Sequence, residues 1–195
     1  MAGGRKIRGM LKDVELTRLE ASLDQIRQAP ADAGTVELIV ARPAVDQRAV
    51  LTEARLDLAN GLEGDTWRAR GSSRTADGSA NPDAQLTLMN SRVASAVSAG
   101  DRERWPLAGD QLFVDLDISL TNLPPGSRVQ LGSTVIEFSE QPHTGCAKFV
   151  ARYGVAAQKF VNSAIGRELR LRGANCRVVV AGTVRQGDVI RKVPT

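Results

Sequence analysis

The chemistry open to this chain rests on two cysteines in unequal surroundings. Cys146 stands in His143-Thr144-Gly145-Cys146-Ala147-Lys148-Phe149. A thiol attacks or ligates as the thiolate, and at an ordinary pKa of about 8.5 it stays protonated at neutral pH unless cations or helix amides intervene. Lys148 and Arg152 follow Cys146 within six residues, and His143 precedes it by three. Gly145 leaves the backbone open to close approach, and a helix predicted over 155–165 would place N-terminal amides just downstream. His143 is a candidate general acid or a hydrogen-bond partner of the thiol. Cys176 sits near Val178-Val179-Val180 and reads as a buried strand residue. With one histidine and two cysteines, a zinc site of Cys and His alone has at most three ligands, so structural zinc is not expected.

Anion contacts have their own candidates. Arg92 and Arg172 could grip a phosphate with two parallel N–H groups, and Lys148 and Arg152 could assist. Asp65 closes the turn Gly61-Leu62-Glu63-Gly64-Asp65, where it can bond the turn backbone or touch a ligand. Arg167, Arg170 and Arg172 form a like-charged strip that reads most simply as a solvated face.

These residues must be positioned by a single domain. Of 195 residues 42% are apolar, about 80 side chains, enough for one core and too few for two ordinary ones. The aromatic share of 4% leaves little for base stacking, so nucleic acid is not expected as a partner. The net charge of +4 is segregated: residues 1–12 carry four basic side chains and no acid, and residues 147–195 carry ten against two acids. Such clustering suits a local anion site. No apolar run of signal-peptide or membrane-span length is present, and the expectation is a cytoplasmic protein with reduced thiols and no membrane contact.

Hydrophobic spacing at Leu11, Val14, Leu19, Leu23 and Ile26 predicts one amphipathic helix over 11–28. Strands are predicted over 35–41, 49–58, 85–89, 112–119, 129–138 as a hairpin, 176–184 and 188–193, with a short helix over 91–99. Residues 68–84 are polar and without period, which predicts a mobile loop at the mouth of a site. The expected architecture is β-rich α+β, with an N-terminal basic arm and helix over 1–33 and a barrel domain over 34–195.

Four segments, in order, resemble the MOSC domain, the C-terminal domain of molybdenum cofactor sulfurases, which also occurs as stand-alone bacterial proteins. They are Gly61-Leu62-Glu63-Gly64-Asp65, Gln85-Leu86-Thr87-Leu88-Met89-Asn90, His143 to Phe149, and Arg172-Gly173 through Gly182 to Gly187-Asp188. The match spans roughly residues 35–192. It implies a closed, mostly antiparallel β-barrel and a cysteine, Cys146, that bears a persulfide or ligates molybdenum. The sulfurase and reductase branch carries an arginine-rich segment ending in Pro-Asn, where this chain has Gly109-Asp110-Gln111-Leu112. That stretch is more like the Gly-Glu-Asn-Leu of the small stand-alone branch, so an anion contact made by those arginines is absent or comes from elsewhere.

Two function classes follow. One is a cysteine-dependent sulfur carrier or molybdenum-cofactor protein, acting as a sulfurtransferase or reductase, with a cysteine desulfurase or redox partner. The chain is too short to hold a pyridoxal-phosphate desulfurase domain besides the barrel, so pyridoxal phosphate is not expected. The other class is a non-catalytic module that binds a phosphorylated pterin (molybdopterin) or another small anion.

Overall fold

A computed structural model describes residues 14–194. The basic arm and the start of the predicted first helix lie outside that range. The rest of that helix forms two short pieces, α1 (Leu16–Ala21) and α2 (Leu23–Arg27), broken at Ser22, whose hydroxyl donates to the Leu19 carbonyl. A serine bonding backward onto its own helix competes with the next turn, which a periodicity of apolar residues does not report.

Among the described residues eleven strands follow, the first being β1 (Ala33–Ala41). The predicted strand over 49–58 is two, β2 (Ala49–Leu51) and β3 (Glu53–Asp57), followed by β4 (Gly61–Leu62). Next come α3 (Trp67–Arg70), β5 (Leu86–Asn90), α4 (Ser91–Val97) and β6 (Leu112–Asp115), which ends four residues earlier than the alternation suggested. The hairpin is β7 (Arg128–Leu131) and β8 (Thr134–Phe138). After it lie α5 (Ala147–Asn162), α6 (Ala164–Glu168), β9 (Ala174–Val180), β10 (Gly182–Arg185) and β11 (Val189–Lys192), so the predicted strand over 176–184 is two, which part at Ala181 into different sheets.

Seven strands close a barrel in the order β1, β11, β7, β8, β9, β5, β6 and back to β1. Closure is possible because β1 is long enough to pair twice: Ala33 to Thr35 with β11, and Thr35 to Ile39 with β6. Gly34 permits it, since a Cβ there would run into the Asp115 carbonyl. All pairings are antiparallel except β5 with β6, whose connection runs through α4 and a 3-10 helix over Arg102–Ala108. A smaller sheet of β10, β3 and β4 flanks the barrel.

The barrel interior is aliphatic, with Val36, Ile39, Leu86, Leu88, Leu112, Val114, Leu131 and Ile136. A second core lies on the outer face, where Leu38, Val40, Met89 and Phe113 meet Val93, Val97, Phe149, Tyr153 and Phe160 of the helices. One register shift in β1, between Val36 and Leu38, resets its alternation, so Val36, Ile39 and Ala41 face the interior while Leu38 and Val40 face the helices. Strands buried on both faces read as near-continuous apolar runs, which is how β1 and β5 appear in the sequence.

The helix predicted over 155–165 corrects most consequentially. It begins at Ala147, with Cys146 in the N-cap position, and Gly154 at φ +84° divides it into two arms. The glycine made residues 155 onward look like the start. The first arm is helical because Phe149 and Tyr153, four residues apart, both enter the outer core.

Candidate active-site cleft

A turn in the backbone holds the site together. The 3-10 helix over Arg102–Ala108 ends in a run of carbonyls of which the backbone caps Pro106, through the Gly109 N–H at 3.2 Å. Four arginines from three parts of the chain, Arg42 and Arg48 in the β1–β2 connection, Arg152 in α5 and Arg172 before β9, donate to the carbonyls of Pro106 to Gly109 in succession. Arg48 Nε donates to the Pro106 carbonyl at 3.1 Å, and Arg152 Nη1 to that of Leu107 at 2.8 Å. Arg172 Nη2 donates to Ala108 O and Arg42 Nη1 to Gly109 O, both at 2.9 Å. Where the sequence showed Gly109-Asp110-Gln111-Leu112 instead of an arginine-rich segment, arginines from elsewhere converge on that segment in space.

The next residue, Asp110, is fully buried, and its Oδ2 accepts from Arg172 Nη1 at 2.7 Å. Arg172 lies over the Phe149 ring at 4.9 Å. The solvated-face reading of Arg167, Arg170 and Arg172 is therefore wrong for Arg172, which retains 5% exposure. It is tolerable there because its charge is paired and its donors are mostly used.

Cys146 is exposed. Partial burial pushes its thiol up, but the amide N–H groups of Phe149 and Lys148 and the charge of Arg172 outweigh that and bring it below its usual value. At the N-cap position the thiol faces these amides without a capping hydrogen bond of ordinary geometry. Cys176 faces the barrel interior, and burial raises its pKa to about 12.

Cys146 and His143 line one cleft of about 590 Å³, together with Arg70, Arg74, Gln141 and Asn175. A larger cleft of about 880 Å³, between Arg55, Glu63, Asp65 and Arg68, contains no thiol or hydroxyl. The chemistry therefore points to the smaller one. Arg70 and Arg74 have no carboxylate partner among the described residues. His143 and Thr144 also line a narrower cavity of about 240 Å³ on the other side of the 139–144 segment.

Burial and the charges of Arg172, Arg42 and Arg74, only partly offset by Asp110, bring the His143 pKa down to about 3. Its side chain is 18% exposed, and the ring is neutral at pH 7. It therefore has no acidic proton to give a reactant near neutrality, and it does not activate the thiol as an imidazolium.

The other site candidates are placed elsewhere. Asp65 accepts from Arg42 Nε at 2.7 Å, Arg42 Nη2 at 3.0 Å, the Arg42 amide and the Trp67 amide, which occupies both carboxylate oxygens in holding α3 to the end of β1. Arg92 pairs with Asp115 at 2.7 Å and donates to the Gln25 carbonyl, tying α4 to α2. Lys148 and Arg152 meet Asp46, at 4.0 and 2.9 Å. None of these four lines the Cys146 cleft. The structure brings Cys146 and His143 into one cleft, sets Arg172 behind them, and adds Arg70, Arg74 and Asp110, which the sequence did not single out as site residues. Only the +4 arm and the basic C-terminal third had drawn attention as cationic, and Arg70 and Arg74 lie in neither.

The polar stretch 68–84 is helical at its ends, in α3 and in a 3-10 turn over Pro82–Ala84, and its middle forms the cleft wall. Its few internal bonds are local, such as Ser72 N to Gly78 O and Thr75 Oγ1 to Ser72 O. Amides over 73–80 should exchange with deuterium well ahead of β5 and β9 on its flanks; equal protection would count against a mobile wall.

A closed seven-strand mixed barrel with an exposed cysteine opening into a basic cleft is the class that fold and site define. No family model matches the chain, and no curated protein matches its sequence. Solved structures do match. YuaD from Bacillus subtilis superposes with a TM-score of 0.60 at 19% identity, covering 81% of this chain and 94% of that one. YiiM from Escherichia coli gives 0.55 at 19% identity, covering 84% and 70%. YiiM from Geobacillus stearothermophilus gives 0.50 at 11%, covering 84% and 74%. These are MOSC-domain proteins, and this chain has their fold.

Proposed function

We propose that the protein is a MOSC-type module in which Cys146 carries sulfur or ligates molybdenum. The observation that supports this reading most is the exposed Cys146 thiol, favoured as thiolate, in a cleft whose wall presents Arg70 and Arg74. As a carrier, the Cys146 thiolate attacks the terminal sulfur of a persulfide on a partner desulfurase. The donor's S–S bond breaks, the donor leaves as a thiolate, and Cys146 holds the sulfur as a persulfide with no outside oxidant.

The same residues fit a molybdenum cofactor. Cys146 is a soft donor, Arg70 and Arg74 suit a phosphate, and among the described residues no cluster of three His, Cys, Asp or Glu competes for a metal. When bound, the cofactor would supply two-electron redox chemistry, while this chain would contribute the thiolate, the phosphate contacts and a neutral imidazole. Either chemistry belongs in a reducing compartment, where the thiol stays free. Among the described residues no helix is long and apolar enough to cross a membrane.

The test is sulfur transfer from a cysteine desulfurase, read by intact mass, together with molybdenum and pterin analysis of protein made in a host that synthesises the cofactor. Wild-type protein should gain sulfur or metal, and Cys146→Ser should gain neither. A variant that still does so overturns the reading. If the cleft only binds an anion, Cys146→Ser keeps that affinity, while Arg70→Ala and Arg74→Ala each lower it about tenfold, the loss of one charge-assisted contact of about 1.4 kcal/mol.

A further inference from the structure

Two polar atoms inside the protein face each other without a partner. His143 Nδ1 and Asp110 Oδ1 are both buried with no hydrogen bond at the geometry shown, and they lie 3.4 Å apart. Gly173 makes room for this approach. At φ +103° it is in the left-handed region, and a Cβ there would lie 3.2 Å from Asp110 Oδ1 and 3.3 Å from His143 Nδ1, besides running into the Leu88 carbonyl. The other oxygen of Asp110 is fixed by Arg172, and the Arg172 guanidinium is itself fixed by the Ala108 carbonyl and the Phe149 ring. The carboxylate cannot turn away from the imidazole without leaving a buried guanidinium unpaired.

We propose that Asp110 is a positioning residue that holds His143 as the Nδ1–H tautomer, so that Nε2 is a standing hydrogen-bond acceptor for a ligand N–H or O–H beside Cys146. A neutral imidazole carries one N–H, and the nitrogen that keeps it is decided by the partner of the other. A buried carboxylate oxygen accepts only, so it selects a proton on the nitrogen facing it. Flipping the ring would put a carbon in that place and leave Asp110 Oδ1 with no donor. With Nδ1 buried, the exposure left to the ring lies toward its Nε2 edge, and His143 lines the cleft that contains Cys146. The charged groups that act on the ring are Asp110 and the guanidiniums of Arg172, Arg42 and Arg74. Three of these four are cations, which disfavour a second proton on the ring.

The ligand selected is one that combines an anionic group for Arg70 and Arg74 with a neutral N–H or O–H near the reacting sulfur. An imidazolium would instead favour an acceptor at that place. The proposal concerns the cleft of the preceding reading, but the tautomer belongs to the free protein and is measured without a sulfur donor or cofactor. Its failure therefore leaves the role of Cys146 untouched, and failure of that role leaves the tautomer standing.

His143 is the chain's one histidine, so long-range nitrogen–proton NMR of uniformly labelled full-length protein at pH 7 reports it without assignment ambiguity. The wild type should show a pyrrole-type Nδ1 and a pyridine-type Nε2. In Asp110→Asn the carbonyl must face Arg172, so the amide NH₂ faces Nδ1 and the two nitrogen resonances should exchange types. A wild type with a pyridine-type Nδ1, or with two averaged nitrogens, overturns the proposal. So does a folded Asp110→Asn that keeps the wild-type pattern. The wild-type measurement decides the matter alone if that variant does not fold.

Discussion

At pH 7 a small alkylating reagent should modify Cys146 alone, leaving Cys176 untouched until the protein unfolds. Cys176 is fully buried inside the barrel, and with its pKa at about 12 its thiolate fraction at pH 7 is about 10⁻⁵. Cys146 is exposed and held below its ordinary value, so its thiolate fraction is at least about 10⁻². The rates should therefore differ by more than about 10³ before access is considered. Intact mass during labelling, followed by peptide mapping, counts and places the modifications. Equal rates, or Cys176 first, would remove Cys146 from the site. Because the thiol of Cys146 caps nothing, Cys146→Ser should leave thermal stability unchanged or raise it slightly, as serine is the better N-cap.

Removing Arg172 should have the largest effect on stability among the basic residues of the site. Arg172→Ala leaves the Asp110 carboxylate buried without its ion-pair partner, unpairs the Ala108 carbonyl and strips the charge from the face of Phe149. Breaking a buried pair in this way costs about 3–5 kcal/mol. For a domain of this size that is a fall in Tm of about 6–20 °C. Arg92→Ala offers the contrast. Its pair with Asp115 is partly exposed, and solvent screening limits the loss to about 1 kcal/mol or less. Calorimetry of the two variants checks the ranking, and similar falls would mean that the Arg172–Asp110 pair does not organise the site.

Arg172→Ala should also move the thiol. The guanidinium favours the Cys146 thiolate, so its loss raises the thiol pKa and shifts the alkylation profile to higher pH. Arg172→Lys, which keeps the charge but not the planar fork, should retain most of the thiol effect while losing part of the stability. A profile that does not move in Arg172→Ala assigns the low pKa to the Lys148 and Phe149 amides alone.

Most strands were legible because their signals are local. Alternation or near-continuous apolar runs between turn residues place β1, β5, β7, β8 and β11 to within a few residues, whereas the single strand expected over 176–184 merges β9 and β10, which lie in different sheets; the order of four short motifs pointed to the barrel that the solved structures share. The errors also have local causes. Gly154 masked the first arm of α5, and the backbone-bonding Ser22 split one periodic helix into two.

By itself the sequence determined that an aliphatic β-rich domain forms, that Cys176 belongs in a strand, and that Cys146 follows a glycine among cations. Each of these depends on residues within a few positions of one another. Tertiary structure decided the partners. Charge near Cys146 in sequence proved a poor guide: Lys148 and Arg152 turn to Asp46, while Arg172, twenty-six positions later, sits close enough to lower the thiol. Asp65, Arg92 and Arg172 look alike as candidate ligand contacts, yet two hold neighbouring elements together and the third holds Asp110. The physical reason is that a buried charge goes wherever closure of the barrel brings an opposite charge or an orphaned carbonyl, and closure joins segments as far apart in sequence as Ala33 and Arg191, which no local pattern encodes.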